Sequence, residues 1–143
     1  MKHRSLLAAI ALTSAPAFGC GYCVEDKIAA AYDHALVAQT TARGHDIAFM
    51  AYEMRAPAGK VGANALRRAL EGIAGIDRGS VRVAAESGAF SVAFDPRRLP
   101  PDNLLAAVDR RLAPLGVETT LLRFGNPALA PATVAAAPSS PSR

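Results

Sequence analysis

The sequence predicts an α+β domain, an antiparallel four-stranded sheet with two helices on one face, preceded by an additional N-terminal helix. Three observations lead to this fold class. Alternating apolar residues mark short strands, apolar residues at helical spacing mark helices, and together they give the order βαββαβ over residues 45–124. The chain has 143 residues, enough for one compact domain with appended segments and too few for two full-sized domains.

The start of the chain has the features of a secretory signal peptide over residues 1–19. Lys2 and Arg4 form a basic region, residues 6–12 form a short apolar run, and small residues follow at the spacing of a signal-peptidase site. The apolar run is much shorter than the roughly 20 residues that a membrane span needs. We therefore expect a periplasmic or secreted protein without stable membrane insertion after cleavage. A retained N-terminal anchor helix is the alternative.

The net charge of +4 gives little support to nucleic-acid binding. Cleavage after Gly19 removes Lys2 and Arg4, which leaves 14 basic and 12 acidic side chains and a net charge of +2. The arginines occur as dispersed pairs, without the interleaved aromatic residues that stack on bases. We expect no nucleic-acid partner.

The segment over residues 20–44 predicts a helix that begins with a pair of cysteines. Residues 24–42 contain neither glycine nor proline, and apolar residues recur there at helical spacing, namely Val24, Ile28, Ala31, Ala35 and Leu36. Acidic residues occupy the first turn, where they suit the positive end of the helix dipole, and Arg43-Gly44 provides a stop.

The core alternates strands and helices. Two-residue alternation of apolar side chains predicts four strands, at residues 45–54, 80–85, 89–94 and 117–124. Apolar residues three and four apart predict two helices, at residues 64–76 and 101–115. Ser87-Gly88 joins the second and third strands as a hairpin turn. This order is that of a ferredoxin-like βαββαβ sandwich.

The end of the chain differs in composition from the core. Residues 125–143 are rich in alanine, proline and serine and have no periodic apolar face. We predict a disordered tail there.

Several stretches of the core resemble the heavy-metal-associated domain family. They are ALEGIAGI at 69–76 followed by SVRV at 80–83, and SGAFSVAFDP at 87–96 followed by Leu99 and a helix over 103–110. In that family, this succession of helix, strand, turn and strand ending in Asp-Pro belongs to small copper chaperones and to the N-terminal modules of metal-pumping ATPases. The resemblance covers residues 45–124 and implies a ferredoxin-like fold that binds Cu(I) or a similar soft ion.

The metal-binding loop of that family is altered in this chain. Family members hold the ion with Met-x-Cys-x-x-Cys between the first strand and the first core helix. The corresponding stretch here begins with Met54, which matches, but Ala56 and Gly59 stand at the two cysteine positions. Neither residue can coordinate a metal through its side chain, so the core has lost the two essential ligands.

Cys20-Gly21-Tyr22-Cys23 offers a replacement for the missing pair. Backbone N–H groups at the start of a helix favour thiolates, and two thiolates can bind Cu(I) or donate two ligands to Zn(II). If this helix docks on the core, Met54 or Met50 is expected as a weak third ligand. The sequence thus predicts a metal site of Cys20, Cys23 and Met54, a soft metal ion as the ligand, a metal-receiving protein as a partner and no enzymatic turnover.

Other uses of the cysteine pair remain open. The same spacing suits a dithiol/disulfide couple, and in an oxidising compartment it also suits an inert disulfide. Lipidation of Cys20 is a further alternative, for which the preceding Ala17 and Phe18 are a poor match. The core can also be a module that recognises another protein after losing its metal site.

Overall fold

A computed structural model describes residues 23–55 and 61–125 of the chain. Its helices are α1 (Val24–Ala30), α2 (His34–Ala42), α3 (Ala63–Glu71) and α4 (Pro101–Leu112). Its strands are β1 (Asp46–Met54), β2 (Arg82–Ala84), β3 (Ala89–Phe94) and β4 (Val117–Phe124), and a short 3-10 turn, Ala113–Leu115, precedes β4. The fold is α+β, as predicted.

Several predicted features lie outside the described residues. These are the signal peptide, Cys20, the loop residues Ala56 and Gly59, and the tail beyond Gly125. Within the two described ranges, no helix is long and apolar enough to cross a membrane.

The four strands form one antiparallel sheet in the order β2-β3-β1-β4. The range of β4 coincides with the predicted strand, whereas β2 is shorter than the predicted 80–85. Ser80 accounts for part of the difference, because its buried hydroxyl accepts the Ala93 N–H at 3.1 Å. A side chain there takes the place of a backbone ladder bond, so the strand begins later.

One face of the sheet carries the larger of two buried clusters. Leu66 and Leu70 of α3 and Leu104 of α4 are almost fully buried against strand residues that include Met50 and Phe90. The predicted helix over 64–76 is too long, since α3 ends at Glu71. Beyond it the chain turns, and Ile76 forms an isolated antiparallel bridge with Phe94.

The opposite face of the sheet is covered by α1 and α2. Their side chains form a second buried cluster with the sheet, made up of Ile28, Ala31, Leu36, Val37, Ile47, Phe49, Ala89 and Ala93. Strand β3 is consequently buried along its whole length. The segment that carries Cys23 is therefore packed on the core.

The prediction of one continuous helix over 24–42 is wrong, because the segment forms two helices. Asp33 has an extended backbone with φ −129° and ψ 107°, and its carboxylate accepts the Leu36 N–H at 3.1 Å, which starts α2. The break is fixed by the sheet: Ser91 donates to the Ala31 carbonyl at 2.7 Å, and Arg82 binds Asp33 at 2.7 Å. These tertiary contacts outweigh the helix propensity of the alanines.

Candidate functional site

Cys23 is exposed and stands immediately before α1. Its carbonyl accepts the Lys27 N–H at 3.1 Å, so Cys23 is the N-cap residue of the helix. Asp26 reaches back from the first turn: its Oδ2 lies 3.3 Å from the Cys23 backbone N and 3.0 Å from Sγ. The thiol is thus held at the start of the helix and remains accessible to a ligand.

The surroundings of this thiol suit a cation. The Cys23 thiol donates a hydrogen bond to the Asp26 carboxylate. When a metal ion replaces the thiol proton, this carboxylate places a further negative charge close to the cation, which lowers the energy of the bound state.

The position of Cys23 relative to the sheet is fixed by its own helix. Ile28 is buried in the cluster between α1 and the sheet, and Tyr32 stacks on Phe49 with ring centroids 6.3 Å apart. Near the start of α1, Glu25 forms an ion pair with Arg123 of β4 at 2.6 Å. Packing and an ion pair together therefore anchor both ends of the short helix.

Met54 lies elsewhere on the sheet. It ends β1 and packs, half-buried, against the cluster under α3 and α4, on the face opposite to α1. Arg123, the residue that anchors α1, pairs with Phe49, five residues before Met54, which is about 17 Å along a strand. Met50 is fully buried in the same cluster as Met54. The structure does not bring either methionine to Cys23.

His45 and Asp77 form a contact that sequence reasoning missed. The Nδ1 atom of His45 lies 2.9 Å from Oδ2 of Asp77, and the two side chains are only 25% and 18% exposed. The contact ties the start of β1 to the connection between α3 and β2. Within residues 23–55 and 61–125, no group of three or more His, Cys, Asp or Glu residues is arranged to hold a metal ion.

Some contacts around the site can be predicted from the sequence, and others cannot. The contact of Asp26 with Cys23 follows from their spacing of three residues at a helix start, which is that of a capping box. The ion pairs of Arg82 and Arg123 join residues 49 and 98 positions apart. No local pattern predicts such pairs.

Comparisons with known proteins add no assignment for this chain. It matches no protein-family model. A comparison with curated proteins finds no match either. The residues of the cysteine pair, the resemblance of the core and the geometry around Cys23 therefore provide the basis for a functional hypothesis.

Proposed function

We propose that this chain is a periplasmic or secreted protein that binds a soft metal ion through Cys20 and Cys23, with Cu(I) preferred to Zn(II). The observation that carries the proposal is the accessible Cys23 thiol at the start of α1, beside the Asp26 carboxylate. Cys20 precedes it by three residues, a spacing at which two thiolates can bind one ion. Exchange of ligands between exposed thiolates then passes the ion to a receiving protein without catalytic turnover.

We also infer that the core is ferredoxin-like and related to heavy-metal-associated domains. The element order β1-α3-β2-β3-α4-β4 and the strand order β2-β3-β1-β4 support this relation. In this proposal the metal ligands have moved from the loop after β1 to the start of α1. The move also changes the face: the ligands then belong to the helices that cover the second side of the sheet.

The two thiolates form the central part of the proposed ligand set, and coordination by Met54 as a third ligand is a separate hypothesis. Met54 packs on the α3/α4 face of the sheet, whereas α1 packs on the other. A two-coordinate thiolate site needs no third ligand for Cu(I), in contrast to the four ligands of a structural zinc site. The proposal thus favours Cu(I) on ligand number as well as on the softness of sulfur.

The test is a competition titration of the reduced mature protein with Cu(I) against a chelator of known affinity. We expect wild type to compete and the double variant Cys20→Ser/Cys23→Ser to lose measurable competition. Met54→Leu is the matched variant: unchanged affinity is expected for a two-thiolate site, and weakened binding would make Met54 a ligand. Binding by the double variant as tight as that of wild type would falsify the proposal.

The design of this experiment follows from the packing of α1 and α2. Deleting residues 20–44 removes the thiols but also uncovers Phe49 and Ala93, which are fully buried. A loss of binding in the truncated protein therefore has two explanations. The serine variants keep the helices that cover this cluster and avoid the ambiguity.

Thiol–disulfide exchange is the competing function, because an accessible thiol such as Cys23 serves it equally well. It predicts a reduction potential well above the ~−300 mV typical of structural disulfides. Intact mass of the native protein before and after reduction distinguishes the two: a retained metal supports binding, and a readily reduced disulfide without metal supports exchange. The same measurement reports the cleavage site and any lipid on Cys20.

A further inference from the structure

We propose that the cleft beside the connection between α3 and β2 binds a phosphate-like oxyanion. The cleft has a volume of about 470 Å³ and is lined by residues 71–78 together with Arg98. Cys23 is not among the lining residues, and the inference does not depend on the proposed metal function.

Two arginine side chains line this cleft. Arg78 and Arg98 line it, both are exposed, and neither forms an ion pair with another described residue. Arg111 lies against the same connection, where its Nε donates to the Ala69 carbonyl at 3.0 Å. Arg111 thereby offsets the negative end of the α3 dipole, which otherwise disfavours an anion at this place.

The backbone of the connection supplies additional donors. The N–H groups of Ala74 and Gly75 donate to no other group of the described chain, whereas those of Ile73 and Ile76 make bonds of 3.0 and 3.2 Å. Gly75 has φ +99°, and successive N–H groups in a turn that passes from a right-handed to a left-handed residue form a concave anion-binding surface. A Cβ at Gly75 would lie 2.6 Å from Cβ of Leu99, so this turn requires glycine.

The two carboxylates of the cleft are engaged by other groups. Oε1 of Glu71 accepts the Gly79 N–H at 3.2 Å, and Oδ2 of Asp77 lies 2.9 Å from His45 Nδ1. The cleft is therefore lined by two guanidinium groups without ion-pair partners and by two carboxylates that already have partners. Guanidinium groups combined with free backbone N–H donors match the oxygen atoms of a phosphoryl group.

The test is an amide NMR titration of the full mature chain with inorganic phosphate, with sodium chloride at matched ionic strength as the control. With phosphate we expect saturable changes in amide chemical shift that are largest at Ala74 and Gly75. With sodium chloride we expect no such changes. Arg78→Ala/Arg98→Ala should weaken phosphate binding by about tenfold or more, because both charged donors are lost. Arg97→Ala removes an exposed charge next to Arg98 without touching the cleft, so it should change the affinity by less than about twofold.

The outcomes separate a built site from general screening. Equal weakening by Arg97→Ala, shifts that chloride reproduces, or wild-type affinity in the double variant each overturn the proposal. Arg98→Gln repeats the test in a variant that preserves most of the side-chain length, should the double variant perturb the amide spectrum elsewhere. Glycerol phosphate, titrated in parallel, shows whether the recognised phosphoryl group is free or tethered: tighter binding than inorganic phosphate identifies a tethered one.

Discussion

The two faces of the sheet are covered in different ways. Under α3 and α4, large aliphatic and aromatic side chains such as Leu70, Leu104 and Phe90 interdigitate in one continuous cluster. Under α1 and α2, the sheet presents small residues, Ala89 and Ala93, beside Phe49 and Ile47, and the buried cluster is smaller. Because dispersion and apolar burial scale with the contact made, the first face provides most of the stability.

The second face compensates with directional contacts. Ser91 in the middle of β3 donates to the Ala31 carbonyl at 2.7 Å, Arg82 of β2 binds Asp33 at 2.7 Å, and Arg123 of β4 binds Glu25 at 2.6 Å. These three bonds connect the N-terminal helices to three different strands. Polar bonds between specific residues thus position the N-terminal helices that carry Cys23 on one face of the sheet. On the other face, burial of large apolar side chains stabilises the fold.

A matched pair of leucine substitutions measures this difference most directly. Leu104→Ala empties a fully buried position under α4 and should lower the free energy of unfolding by about 3–5 kcal/mol. Leu36→Ala in α2, at a position 7% exposed near the edge of the smaller cluster, should cost about 2–3 kcal/mol. Urea unfolding of the two variants and wild type gives both values.

The sign of the difference is the informative quantity. Identical chemistry is removed in both variants, so any difference reflects how well each face closes around the gap. A larger loss of unfolding free energy for Leu36→Ala than for Leu104→Ala would contradict the view that the α3/α4 face provides most of the stability. It would also make the N-terminal helices the main structural element of the fold.

The sequence predicted the first face better than the second for a physical reason. Alternation in β4 and helical spacing in α4 report burial that is decided within a few residues. The range of β4 matches the prediction, and α4 begins as predicted but ends at Leu112, three residues early, where a 3-10 turn follows. The break at Asp33 depends on Arg82 and Ser91, which lie 49 and 60 positions away from their partners. Local patterns contain no such information, so a continuous helix was the natural expectation.

In the candidate site too, local features could be predicted from the sequence and long-range ones could not. The apolar spacing and the absence of glycine and proline after Cys23 predict that it stands at a helix start, and the structure places it there. The distance of Met54 from Cys23 depends on which face of the sheet α1 covers. That choice is made by packing of Ile28 and Phe49, and the sequence of either segment alone does not reveal it.

Removing one directional contact of the second face should have an intermediate effect. Ser91→Ala leaves the buried Ala31 carbonyl without its side-chain donor and should cost about 1–3 kcal/mol. Native-state hydrogen exchange should show faster exchange in α1 and α2, with the amides of α3 and α4 unchanged. Ser87→Ala is the matched control, since its hydroxyl bonds within the hairpin turn at 3.1 Å.

The hydrogen-exchange pattern decides what the contact does. Local acceleration confined to α1 and α2 means that Ser91 docks the N-terminal helices on an otherwise independent core. Uniform acceleration over the whole molecule would show that both faces unfold together. The proposed difference between a face stabilised by apolar burial and a face positioned by polar bonds would then be wrong.

The smallest expected effect depends on pH and concerns Asp33. The backbone N–H of Leu36 and then the guanidinium of Arg82 hold the pKa of this carboxyl below its ordinary value, because both stabilise the charged form. A carboxyl with a lowered folded-state pKa contributes stability that is fully present above its unfolded pKa of about 3.9 and is lost as the pH falls through the lowered value. The stabilising effect of the Asp33 charge should therefore be constant near neutral pH and fade in acid.

Asp33→Asn tests this contribution while preserving a side-chain oxygen that can cap α2. The variant should be less stable than wild type near pH 7. The difference should narrow at about pH 3, below the unfolded-state pKa of about 3.9, because the unfolded chain then binds the proton. Urea midpoints of both proteins at the two pH values provide the comparison, and the other carboxyls cancel because both proteins have them. If the difference stays constant down to about pH 3, the Arg82 pair adds nothing to the cap, and one of the three polar bonds of the second face contributes no stability.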